Sequence, residues 1–200
     1  MRKNYTGFTE STKKNLQLNA GLFFKNFAPD TDTTAAAIAD GRLLGATQGG
    51  GEFSAVPTFR NVEIDGMPGR VKGLADIEKW ECYIKATIIE VSETAIAAAL
   101  ACTETDSTTK TKYKVIKGRN YVADKDYIDN VTWVGTLAGY DDPICIQVFN
   151  ALNEDGFKLT VADKSEGKIS CTFYGYNDVD DVQDGVVAPP FAVWYPKGEE

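Results

Sequence analysis

GATQGGGEFSAVPTFRNVEIDGMPGRVKGLADIEKWECYIKATIIEV, residues 45–91, is the stretch on which the reading of the fold turns. Three signals follow one another in it. Gly49, Gly50 and Gly51 supply a turn whose backbone takes positive φ without steric cost. A strand-like run at 58–65 comes next and closes at the Asp65-Gly66 turn. Residues 77–91 then read as one continuous strand, about three times the average length of roughly five to six residues. Counted by twos, Trp80, Cys82, Ile84, Ala86 and Ile88 share one face of it, and Glu81, Tyr83, Lys85, Thr87 and Ile89 the other. The first is a core face; the second is mixed and suits water or a neighbouring chain. A strand of this length exceeds what one small core requires, so it is expected to build something larger than one subunit.

Upstream, residues 43–47 enter the glycine turn and 52–56 leave it, which predicts a hairpin with a flexible tip. Residues 28–40 begin as a loop and end as a short helix, capped by Thr33 or Thr34 and stopped at Asp40-Gly41. Residues 16–27 are apolar enough for a buried strand, with Asn19 and Gly21 marking a bulge or turn. Residues 1–14, with Arg2, Lys3, Lys13 and Lys14, form a polar arm that orders when it docks. Downstream, Ser92 caps a helix, SETAIAAALA, in which Ile96 and Leu100 lie four apart and dock together on a sheet. TETDSTTKT reads as a polar loop and 112–117 as a short strand. After an irregular excursion at 118–130 come strand pairs at 131–138 with 144–149 and 157–161 with 168–176. An acidic loop at 177–185 and a last strand at 190–195 follow.

Nine or ten strands against one substantial helix predict a mainly β fold, an antiparallel β-sandwich or flattened barrel flanked by one α-helix. A single domain over 1–200 is expected, with an N-terminal arm over about 1–14 and a C-terminal segment over about 186–200.

Composition narrows the function. With 43% hydrophobic and 25% charged residues the 200-residue chain can bury a core. A net charge of −8 and a pI near 4.7 argue against nucleic-acid binding and against an anionic membrane surface. The chain has no histidine, which removes the commonest general base, the serine and cysteine triads and the commonest metal ligand. Cys82, Cys102, Cys145 and Cys171 lack metal-ligand spacing and read as small buried hydrophobes of a reducing compartment. The N-terminus has no apolar signal segment, and the alanine-rich runs at 35–39 and 95–101 are too short to span a bilayer.

No motif supplies a catalytic, cofactor-binding or metal-binding residue. The glycine trio lacks the lysine and hydroxyl of a phosphate loop. Asp178, Asp180, Asp181 and Asp184 miss the EF-hand spacing, because Val182 and Gln183 fall on ligand and glycine positions. Trp133, Tyr174, Tyr176, Trp194 and Tyr195 offer a possible sugar-stacking platform, although their strand spacing suits a core or an interface better.

LNAGLFFKNF (18–27), GATQGGGEFSAVPTFRNVEIDG (45–66) and KGLADIEKWECYIKATIIEVS (72–92) resemble the major tail (tail tube) proteins of bacteriophages, those of tailed phages and prophages of Gram-positive bacteria in particular. VTWVGTL, the run from ICIQVFN to FYGYND, and PPFAVWYP extend the likeness, in order, over nearly the whole chain. The resemblance implies a virion structural protein of the tail, made in the host cytoplasm, with no enzymatic activity, cofactor or membrane partner. It implies hexameric rings with a continuous inner β-barrel, stacked around a tape-measure protein, ending at tail terminator and distal tail or baseplate proteins, and passing double-stranded DNA at ejection. Six copies at −8 each would give a ring about −48, and an acidic lumen would repel DNA. Gly49, Gly50, Gly51, Glu52, Phe53, Glu81, Tyr83, Lys85, Thr87, Phe191, Trp194 and Tyr195 are the expected assembly residues. The arm, residues 28–44 and the C-terminal PFAVWYP are expected at contacts between rings, and no appended immunoglobulin-like domain is expected. The alternatives are the inner tube of a contractile tail or phage-like bacteriocin and, outside this class, a carbohydrate-binding or hydrolytic β-sandwich.

Overall fold

Residues 6–183 and 188–197, which are those described by the computed structural model, contain ten strands, and period-two alternation of apolar side chains marks the long core strands among them. In chain order the elements are α1 (Glu10–Lys14), β1 (Leu22–Lys25), α2 (Thr34–Ala39), β2 (Thr47–Asn61), β3 (Ala75–Ile88), α3 (Glu93–Leu100) and β4 (Thr103–Asp106). There follow β5 (Val115–Gly118), β6 (Ile128–Gly135), β7 (Ile144–Asn153), β8 (Leu159–Ala162), β9 (Ser165–Tyr174), α4 (Val179–Gln183) and β10 (Phe191–Trp194). Arg2 and Lys3 of the arm, Asp184 and Gly185 of the acidic loop, and 186–187 and 198–200 of the C-terminal segment lie outside the described residues.

The fold is mainly antiparallel β. Strand order is β1-β6-β7-β9-β3-β2, with β10 added on β7 and β8 on β9. β7 joins two layers because it changes neighbours along its length. Its residues from Ile144 to Ala151 pair with β6, whereas Leu152 and Asn153 pair with β9. One layer is therefore β1, β6, β7 and β10, the other β2, β3, β9 and β8. Their inward side chains, Phe23, Val131 and Val148 from the first and Ile84, Ala86, Ile88, Ile169 and Phe173 from the second, meet in one core. Such burial is the main stabilising term of the fold.

β1 alternates so sharply that its neighbouring phenylalanines serve different clusters. Phe23 enters the main core, and Phe24 joins Phe27, Ala37, Val134 and Cys145 under α2. Thr33 caps α2 by accepting from Ala36 N at 3.2 Å, and Gly41 takes φ +69° beyond its end. Ser92 caps α3 in the same way, accepting from Ala95 N at 3.1 Å. α3 buries Ala95 and Ala99, with Ile96 half-buried beside them, in place of the expected Ile96–Leu100 pair. Small side chains let the helix lie close to β7 and β9. Asn153 fixes the contact, donating to Ala99 O at 2.6 Å and accepting from Thr172 N at 2.9 Å.

Several boundaries differ from the sequence reading. The TETD run is not loop but β4, which pairs with β5 as a separate two-stranded sheet. Within 16–27 only Leu22–Lys25 is strand, plus an isolated bridge from Gln17 to Leu137. The arm contains α1, and its end is tied to the β6–β7 connection by Gly139 N donating to Lys14 O at 2.9 Å and Ala138 N to Leu16 O at 3.0 Å. The largest difference lies in the stretch with which the sequence reading began. The run leaving the glycines and the first part of the run at 58–65, as far as Asn61, are one strand, β2, paired with β3 from Gly51 to Asn61, and residues 62–65 are outside it.

Candidate assembly surface

β3 has two halves. From Tyr83 to Ile88 it lies between β2 and β9, and Ile84 there is 1% exposed. The last bond on the β9 side is Gly175 N to Cys82 O, at 2.9 Å. Beyond it β3 keeps only β2 as a partner; Cys82 is still buried and Trp80 still packs on Phe191, and past them residues 58–61 and 75–79 leave the body as a two-stranded ribbon. An isolated two-stranded ribbon is marginal in water.

Directly opposed residues share a face. The core-side face of the hairpin therefore runs outward through Phe53/Ile84, Ala55/Cys82, Pro57/Trp80 and Phe59/Ile77. A register shift between Thr58 and Phe59 leaves Glu78 unopposed on β3. That extra residue keeps Ile77 on the apolar face, where simple alternation from Trp80 would have turned it away. Past Trp80 this apolar face has no body beneath it: Phe59 is 58% and Ile77 45% exposed. The loop beyond adds exposed Val62, Ile64 and Val71.

The other face is polar. Glu52 stands opposite Lys85, Thr58 opposite Lys79 and Arg60 opposite Asp76, and Tyr83 Oη donates to Glu52 Oε1 at 2.7 Å. Glu81, Tyr83, Lys85 and Thr87 lie on this face as the sequence indicated. The register places Glu52, Asp76 and Glu81 here together with Arg60, Lys79, Lys85 and Lys168. Asp155 adds to this face, accepting from Thr172 Oγ1 at 2.6 Å, so acidic and basic side chains are mixed on it.

Gly49, Gly50 and Gly51 are not a hairpin tip. They lie inside β2, where residues 48–50 stand opposite Thr87 alone. Gly49 (φ +85°) and Gly50 (φ +73°) form this bulge and face open space. Gly51 does something else. A Cβ there would strike the Phe23 ring and come within 2.6 Å of Lys85 O. Its lack of a side chain lets β2 approach β1 and leaves a cavity of about 150 Å³ lined by Phe23, Phe53, Trp133 and Ile146 beside the β2 edge.

The expected C-terminal residues dock on their own chain. The Phe191 ring lies 5.7 Å from Phe53 and 5.5 Å from Trp80, centroid to centroid. Trp194 Nε1 donates at 2.5 Å to Oε1 of buried Gln147, whose Nε2 donates to Phe27 O and Thr132 Oγ1. Tyr195 meets the edge of Tyr140 at 5.6 Å. The aromatic residues considered for sugar stacking have separate neighbours: Trp133 donates to Ala20 O, Tyr174 packs on Tyr83 and Tyr176 on Tyr127.

Cys82, Cys145 and Cys171 are buried and unbridged, and burial pushes each thiol up to about 11. Asp178 accepts from Asp180 N at 3.0 Å ahead of α4. Among the described residues, no three His, Cys, Asp or Glu side chains are grouped so as to hold a metal ion. The exposed apolar face of the ribbon was not legible in the sequence, since it depends on where β9 stops beside β3, and neither was the place of β2 at the end of the sheet, with no further strand on its outer edge among the described residues.

No protein-family model matches the chain, and a search of curated proteins finds no match.

Proposed function

We propose that this chain is the subunit of a phage tail tube, a non-enzymatic structural protein of the virion. One observation carries the reading. The layer β2-β3-β9-β8 is all antiparallel and has four strands, so its end strands, β2 and β8, run in opposite directions. Under rotation about a ring axis, β2 of one copy meets β8 of the next antiparallel, and the sheet continues from subunit to subunit. Among the described residues neither edge has a further strand. Such head-to-tail contacts close into rings when the rotation divides the circle. Six copies, stacking, the tape-measure protein and the tail terminator and distal tail or baseplate partners come from the resemblance. The polar face would line the lumen, where its mixed acidic and basic side chains would present a hydrated surface to DNA. DNA would pass it without being held, as lysine and arginine are not in large excess.

Cysteine pairs across the two edges test this. Ser54→Cys on β2 combined with Thr160→Cys on β8, with neighbouring positions scanned for register, should give an oxidised ladder ending at a closed hexamer. Protein that never cross-links beyond the monomer would overturn the ring.

A further inference from the structure

The outer edge of β2 is complementary to itself. We infer that the free subunit closes this edge against the same edge of a second copy, antiparallel, about a two-fold axis at Val56. From Gly51 to Asn61, β2 has no extra residue of its own, since the second register shift falls on β3, so its pleat is unbroken. The run E-F-S-A-V-P-T-F-R, residues 52–60, then pairs with its own copy position by position. Glu52 faces Arg60 of the second copy and Arg60 faces its Glu52. Ser54 faces Thr58, and Val56, 56% exposed, faces Val56. These residues share the polar face. On the opposite face Ala55 meets Pro57 and Phe53 meets Phe59. Opposite charges and aromatic pairs directly across an antiparallel ladder are favourable, and like charges there are not.

The register also gives the exposed Phe59 a destination. The β2 half that lies on the body ends where the ribbon begins, so each ribbon would run along the other copy's body half and the two bodies would sit at opposite ends. Phe59 of one copy then lies beside Phe53 of the other, at the cavity lined by Phe23, Trp133 and Ile146. Pro57 limits the pairing. In an edge strand a proline nitrogen faces away from the neighbouring strand, so each copy's Ala55–Pro57 pair lacks one ladder hydrogen bond. The dimer is therefore reversible. It occupies the edge that ring pairing would use, so the two states exclude each other, and a subunit in the dimer is withheld from polymerisation.

The test uses the full chain cleared of any polymer by centrifugation. Sedimentation should show a monomer–dimer equilibrium. Glu52→Arg and Arg60→Glu should each weaken it about tenfold or more, because each creates two like-charge pairs per dimer. The double variant should recover it, and Phe59→Ser should weaken it with the circular dichroism unchanged. With Cys102 replaced by serine, Val56→Cys should oxidise to a dimer through its own position. A monomer at every concentration, a dimer indifferent to both reversals, or reversals the double variant does not rescue would each overturn the two-fold register. The β2–β8 cross-links report separately on rings.

Discussion

β1 and β2 are the two ends of one sheet, and the chain treats them oppositely. β1 is four residues long, both its phenylalanines are buried, and its outer edge is covered by residues 42–44. There Lys25 N donates to Arg42 O and Leu44 N to Phe23 O, each at 2.9 Å, while Phe24 bridges to Leu43. Arg42 is held in turn by a fork to Asp32, at 2.5 and 3.0 Å. β2 is fifteen residues long, carries no cover on its outer edge among the described residues, and runs beyond the core it helps to form. An open edge is a template for another chain. On the proposed reading, a fold that closes one end with a clamp and extends the other into solvent keeps the second end for pairing, with Pro57 limiting the hydrogen bonds that edge can make.

Substitutions can break this contrast. The largest effect belongs to the body half: Ile84→Ala should cost about 2–5 kcal/mol in urea unfolding, because the side chain is fully enclosed. Ile77→Ala on the same strand should stay within about 0.5 kcal/mol for the isolated subunit. Equal costs would mean the ribbon is packed within its own subunit. Gly51→Ala should cost about 1–3 kcal/mol through overpacking against Phe23 and the Lys85 carbonyl. A neutral result would show that β2 and β1 are less close than described.

Two pH effects sharpen the comparison. The three buried thiols titrate near 11 in the fold against 9.0 when free, so their contribution is complete below about 9 and fades as pH rises toward 11. Alkaline unfolding should begin in that window, and serine at these positions should flatten it. At the covered end, hydrogen bonds from Arg42 and then from Ala28 N hold Asp32 down to about 2. Its contribution is present above 3.8 and lost as pH falls through about 2, so Asp32→Asn should reduce the acid dependence of the melt. This is the smallest effect, since the pair is near solvent.

Local chemistry made part of the fold legible. The Trp80-to-Ile88 face, the Ser92 and Thr33 caps and the polar Glu81-to-Thr87 face all follow from spacing along one segment. The glycine trio did not, because three glycines make a turn tip or a bulge equally well. What decides is that residues 51–61 pair with β3, whereas 43–47 was the expected partner of 52–56. Pro57 and the glycines hid the length of β2, and the bulge at Glu78 hid that Ile77 is apolar-side. β4 was missed because TETD has no apolar face to announce a strand. Of the expected assembly residues, Glu52 and Phe53 flank the open edge, Phe191 packs on Phe53 and Trp80, and Trp194 and Tyr195 keep exposed surface. Sequence alone marks which side chains are apolar; only tertiary pairing shows which of them are left uncovered.

The most direct measurement of the central claim is negative-stain electron microscopy of the concentrated, purified chain. The account predicts rings and hollow stacked tubes, lost when β2 is blocked by a second proline at Ala55. Dispersed monomers at every concentration, with no ordered assembly, would contradict it.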